Sequence, residues 1–118
     1  MNRAKIIATA PRIYVENVEE TLQYYIENLG FELIEKVPDF YGMIKRDEFQ
    51  IHFAKFSDSF PNLGQRQHIL LWIPDIECFW KEIETKKLNI LENITLKPYG
   101  NREFIIEDLN KNIITICD

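Results

Sequence analysis

The 118-residue chain is long enough for one domain with a substantial core, at 46% hydrophobic and 13% aromatic residues. Its net charge of −5 argues against a nucleic-acid backbone or an anionic membrane surface as partner and favours a cationic ligand. No apolar run approaches the roughly 20 residues of a membrane span, and Met1-Asn2-Arg3-Ala4-Lys5 leads into too short an apolar stretch for a signal peptide, so a cytoplasmic location is expected.

Ile6 to Val15 reads as a strand broken at Pro11, which has no N–H to give a ladder, so the residues before it are expected to form a separate arm. Asn17, with Glu20 three residues on, predicts a capped helix whose apolar face is Val18, Leu22, Tyr25, Ile26 and Leu29. Gly30 stops that helix. Three short strands follow, over 31–37, 41–46 and 49–55. The stretch from Ser57 to Gln65 is rich in loop formers and reads as a linker.

The second half repeats the order. Gln67 to Ile73 is a strand, and Asp75 caps a helix with the apolar stripe Ile76, Phe79, Trp80 and Ile83. Lys81, Glu82, Glu84 and Lys86 read as its solvated face. A strand from Asn89 toward Leu96, the alternating Glu103-Phe104-Ile105-Ile106-Glu107 and the closing Ile113 to Cys117 complete it. Val15-Glu16-Asn17-Val18-Glu19 and Ile73-Pro74-Asp75-Ile76-Glu77 share one pattern, and the same spacing maps Leu22 onto Trp80 and Tyr25 onto Ile83. The expected fold is therefore α+β, two tandem βαβββ modules forming a curved, barrel-like mixed sheet with helices on the outside. One domain would span 1–118, with module one at about 4–56, a linker at about 57–66 and module two at about 67–118.

Strand alternation suggests which side chains face away from the helices. Ile69, Leu71 and Ile73 suit the helix side, which leaves His68, Leu70 and Trp72 on the open side with Arg12, Tyr14, Gln50, His52, Ala54, Ile113, Thr115 and Cys117. Apolar area with a few polar groups is what a ligand cleft needs. Phe40, Tyr41 and Tyr99 are further aromatic candidates, with core or dimer contacts as the competing reading. His52 reads more simply as a strand histidine bonded to a neighbour, whereas His68 has the better claim to touch a ligand. No Ser/Cys-His-Asp arrangement is legible, so no catalytic residue is named. Cys78 and Cys117 lack CxxC spacing and read as reduced thiols.

Three pieces carry a resemblance to a known family. They are Ala10-Pro11 with Val15-Glu16-Asn17-Val18 and Leu29-Gly30-Phe31-Glu32; Gln50-Ile51-His52-Phe53; and Pro98-Tyr99-Gly100-Asn101-Arg102-Glu103-Phe104 with Asp108 and Asn112. Together they resemble the bleomycin-resistance-protein branch of the glyoxalase/bleomycin resistance/dioxygenase (vicinal oxygen chelate) superfamily. Leu109 and Lys111 stand where that family usually has proline and glycine, so Asn110 or Lys111 must supply a positive φ.

The resemblance implies a homodimer with an exchanged N-terminal arm and two interface crevices that sequester a bulky, cationic, planar drug. The expected ligand-binding set is Arg12, Tyr14, Phe40, Tyr41, His52, His68, Leu70, Trp72, Tyr99 and Arg102. The family's metalloenzymes take His and Glu ligands at positions that correspond to Ala10, His52, His68 and Thr115. Two histidines fall short of the three protein ligands usual for a catalytic divalent metal. Glu48, Glu103 and Glu107 have no register that sets them beside both histidines. No metal and no cofactor is expected, with a metal-dependent glyoxalase, dioxygenase or thiol transferase as the alternative.

Overall fold

The computed structural model describes residues 2–57 and 66–118, so the predicted linker lies almost wholly outside the described residues. Residues 2–11 form no regular element, and all but Ala10 within them are exposed. The strand predicted from Ile6 thus begins only after Pro11, as β1 (Arg12–Val15). Then come α1 (Val18–Leu29), β2 (Glu32–Val37), β3 (Tyr41–Arg46) and β4 (Phe49–Lys55). The second module is β5 (His68–Trp72), α2 (Ile76–Ile83), β6 (Asn89–Leu96), β7 (Arg102–Glu107) and β8 (Ile113–Cys117).

The expected α+β fold of tandem βαβββ modules is what the chain adopts, as two four-stranded mixed sheets that do not close. Their strand orders are β1-β4-β3-β2 and β5-β8-β7-β6, the same arrangement twice. In each, the first strand pairs parallel with the last and the other pairings are antiparallel.

The local signals that set the helices are physical. Asn17 Oδ1 accepts the Glu20 N–H at 3.0 Å and Asp75 Oδ1 accepts the Cys78 N–H at 3.2 Å, each satisfying an orphan donor of a first turn. Gly30 ends α1 at φ 74°, a left-handed conformation that costs glycine little. At the β7–β8 turn the positive φ falls to Lys111, at 67°. Asp108 makes that bearable by accepting the Asn110 and Asn112 N–H groups at 2.8 and 2.9 Å.

One continuous core runs through both modules, with Val18, Leu22, Tyr25 and Leu29 of α1, Ile44 and Phe53 beneath them, and Ile76, Phe79 and Ile83 of α2 over Phe104, Ile106, Ile114 and Ile116. Each such side chain contributes about 1.5–3 kcal/mol by leaving water. At Gly42 β3 passes so close to α1 that a Cβ there would stand 2.5 Å from Leu22 Cδ2. Gly42→Ala is therefore expected to cost about 1–3 kcal/mol through overpacking. Urea unfolding would show it, and an unchanged midpoint would contradict the close approach.

Polar contacts join the modules as well. The Tyr25 hydroxyl donates to Asp108 Oδ2 at 2.6 Å, and Asn110 Nδ2 donates to Thr21 Oγ1 at 2.9 Å. Arg46 grips Glu82 with two parallel bonds of 3.0 Å, donates to the Leu29 carbonyl and lies 4.8 Å from the Phe79 ring centroid. Glu82, read from the sequence as part of a solvated helix face, is thus a cross-module anchor.

Candidate functional site

Both sheets turn one face to the helices and leave the other open, and the strand register lays out the open faces as grids. On the first sheet, one row is Arg12, His52, Met43 and Glu35. The adjacent row is Tyr14, Ala54, Tyr41 and Val37. On the second sheet, one row is Trp72, Cys117, Glu103 and Thr95, and the next is Leu70, Thr115, Ile105 and Glu92. The third row there is His68, Ile113, Glu107 and Asn89.

The second grid mixes apolar area with carboxylates. Trp72 is 67% exposed and Leu70 45%, large values for side chains of this kind. Ile113 and Cys117 are buried between their neighbours on the same face, with Thr115 half-buried. Tyr99, also exposed, donates its hydroxyl to Glu103 Oε1 at 2.5 Å, and this bond to a carboxylate pushes the phenol pKa up to about 12. Lys97 pairs with Glu92, and Arg66 with Glu107 at 2.5 Å. The hydrogen bond to the Glu103 side chain comes from a phenol, and among the described residues no cation pairs with it. Burial first, then the charges of Glu103 and Asp118, raise the Cys117 thiol, which keeps it protonated and unreactive.

The first grid carries an ordered chain of hydrogen bonds. Arg12 Nε can only donate, so the Tyr41 oxygen accepts it at 3.0 Å. The Tyr41 hydroxyl hydrogen is then free for His52 Nδ1 at 2.7 Å, while His52 Nε2 donates to Gln50 Oε1 at 2.9 Å. His52 is thereby held neutral, and burial, with Arg12 as the second cause, lowers its pKa. The sign of the consequence follows. The unfolded imidazole takes up a proton first as pH falls below about 6.5, so this group withdraws stability on acidification. In urea unfolding, His52→Gln is expected to lose less stability than wild type between about pH 7 and pH 5, and a larger loss would contradict the assignment.

Of the residues expected at a cleft, Arg12, Tyr14, Tyr41 and His52 are brought together on one sheet and His68, Leu70 and Trp72 on the other, with Tyr99 reaching Glu103 from the turn before β7. Phe40 projects from the turn before β3, exposed. Arg102 faces the helix side, tied to Asp118 at 2.8 Å and Glu77 of α2 at 2.7 Å, away from both grids. Glu103 and Glu92, absent from the expected set, stand where a ligand on the second sheet would meet them. Alternation alone places Glu103, beside Phe104, on the open face; Glu92 depends on register shifts in β6 that no pattern announces.

The four positions at which the family's metalloenzymes bind metal do not fit a catalytic divalent ion. Ala10 offers no donor, and both ring nitrogens of His52 are engaged, by Tyr41 and Gln50. Among the described residues no three His, Cys, Asp or Glu side chains converge on one point. Among those residues, too, no helix is long and apolar enough to cross a membrane.

Known structures share this architecture. The bleomycin resistance determinant encoded on transposon Tn5 superposes with a TM-score of 0.78 at 14% identity, over 96% of this chain and 98% of its own. The bleomycin-binding protein of Streptomyces verticillus, complexed with copper(II)-bleomycin, gives 0.73 at 15% identity over 97% of both chains. A lactoylglutathione lyase from Agrobacterium tumefaciens gives 0.75 at 15% identity, over 96% of this chain and 94% of its own. Comparison with curated proteins yields no match. The model of the glyoxalase/bleomycin resistance protein/dioxygenase superfamily matches residues 5–116. With nearly the whole sequence matched and the tandem βαβββ fold in place, the chain belongs to the glyoxalase/bleomycin resistance protein/dioxygenase superfamily.

Proposed function

We propose that this protein is a metal-independent binding protein that sequesters a bulky cationic or aromatic small molecule, making and breaking no bond. The single observation that carries the reading is the second open sheet face, where exposed Tyr99 is bonded to Glu103 and exposed Trp72 shares its row across Cys117, Glu103 being a carboxylate without a cation among the described residues. Aromatic faces and an adjacent carboxylate attract a planar cation. The likeness to structures holding bleomycin gives a first ligand to try.

The binding form is a homodimer of one-domain chains, each crevice bounded by open faces of both subunits. The surface supports this. Glu103 on the second open face has no cation among the described residues and is opposite in sign to Arg12 on the first, whose row also carries Glu35. Exchange of the arm at residues 2–11 between subunits fits its exposure. A cytoplasmic location fits this role.

Calorimetric titration with metal-free and copper-loaded bleomycin tests the assignment. Saturable heat with either supports it; no heat and no thermal shift with both removes the drug assignment. The likeness to a lactoylglutathione lyase keeps a metalloenzyme as the second reading. That reading requires a third ligand beside His52 and His68, and a divalent ion that neither copurifies nor stabilises the protein would end it.

A further inference from the structure

Each sheet has one regular edge and one broken edge. The edge strands β1 and β5 pair with their neighbours in unbroken register, and they are short, at four and five residues, with Pro11 before the first and Pro74 just past the second. The opposite edges are longer. β2 has six residues, all exposed, and β6 has eight. Both are rich in aliphatic side chains, with Ile34 40%, Val37 57%, Leu91 47% and Leu96 69% exposed. A long, apolar edge strand is a template on which another chain adds a strand. Charge protects these edges little, since Glu32, Lys36 and Glu92 each pair within the chain, with Lys45, Glu19 and Lys97.

Both long edges carry a fault in the ladder at the matching place. Leu33 pairs with Ile44 and Glu35 with Met43, so Ile34 is an extra residue with no partner in β3. Ile90 pairs with Ile106 and Glu92 with Ile105, so Leu91 is its counterpart in β6. The local pattern is also shared, Leu33-Ile34-Glu35 and Ile90-Leu91-Glu92, two aliphatics and a glutamate. A second shift in β6 falls between Glu92 and Thr95. Neither Ile34 nor Leu91 belongs to the core cluster. An extra residue reverses the side-chain alternation and sets the outer N–H and C=O groups out of the two-residue step that a pairing strand needs. We infer that the bulges at Ile34 and Leu91 are stops to strand addition, which keep the outer edges of both sheets from pairing with further copies of the chain. Without them the β2 edge of one copy would join the β6 edge of the next head to tail, a contact that does not close and grows into filaments.

Deleting Ile34 from the full chain is the direct test, because the pairs on either side of it then run in one unbroken register. In sedimentation velocity from about 10 to 500 µM, the wild-type mass should reach a plateau, whereas that of the folded deletion should keep rising, to at least about twice the plateau. The Leu91 deletion should associate less, since the second shift in β6 stays. Ile34→Ala keeps the extra residue without its apolar side chain and should sediment as wild type, which assigns the effect to register. Circular dichroism and the urea midpoint show whether each variant folds. A wild-type mass that climbs without a plateau, a folded Ile34 deletion that sediments as wild type, or equal association in Ile34→Ala overturns the proposal. An Ile34 deletion that cannot fold overturns it too, because the extra residue would then serve the fold itself.

Discussion

Asp108→Ala is expected to lower the stability of the chain by about 3–5 kcal/mol. Asp108 is 5% exposed and carries four bonds. It accepts the Tyr25 hydroxyl at 2.6 Å, the backbone N–H groups of Asn110 and Asn112, and Asn112 Nδ2 at 3.3 Å. Truncation strands a buried phenol, two backbone donors and a side-chain amide, each of which costs about 1–3 kcal/mol when unsatisfied. It also frees Lys111 from the turn that holds its φ at 67°.

The damage reaches across the chain, because Tyr25 belongs to α1 of the first module. Burial, with Asp108 as the second cause, raises the Tyr25 pKa well above the usual phenol value. The unfolded phenol therefore ionises first above about pH 10, and stability falls with rising pH there. Tyr25→Phe should cost about 1–2 kcal/mol at neutral pH, much less than Asp108→Ala, since it removes one bond and leaves Asp108 three partners. Guanidinium unfolding at neutral pH measures both losses. Equal losses in the two variants would mean that the turn bonds contribute nothing.

Trp72→Ala is expected to weaken dimerisation by about thirty-fold or more and to reduce drug binding with it. Buried aromatic anchors at interface centres are worth 2 kcal/mol or more, roughly 30-fold in affinity. Trp72 is 67% exposed in the single chain, at the end of β5, next to Cys117 and in the same row as Glu103. It contributes nothing to the core beneath α2, so the variant should unfold at the wild-type midpoint once both are monomeric. Sedimentation equilibrium separates the two effects. A variant that dimerises as wild type but binds drug weakly would place Trp72 against the ligand alone.

The elements were legible wherever the signal is local. Asn17, Asp75 and Gly30 announce helix ends because each satisfies or permits a backbone group within a few residues, and the alternation in Phe104 and Ile106 gives the sheet its inner face. The repeat spacing follows from the same cues. Contacts between distant positions were not legible. Nothing in the sequence joins Tyr25 to Asp108, 83 positions apart, or turns Glu82 from a solvated face to Arg46. The candidate cleft divides the same way. Alternation correctly separates His68, Leu70 and Trp72 from Ile69 and Leu71, but Arg102 was grouped with the cleft although its place in the alternation puts it beside Phe104 on the helix side. The bonds that orient Arg12 depend on Tyr41 reaching diagonally across two strands, which no single-strand pattern contains.

Sedimentation velocity with excess bleomycin, followed at a wavelength absorbed by the drug, tests sequestration at a dimer crevice most directly. The expected boundary carries drug absorbance and moves with twice the chain mass of 14.1 kDa. Drug that stays with the solvent, or drug carried by a single chain, would contradict it.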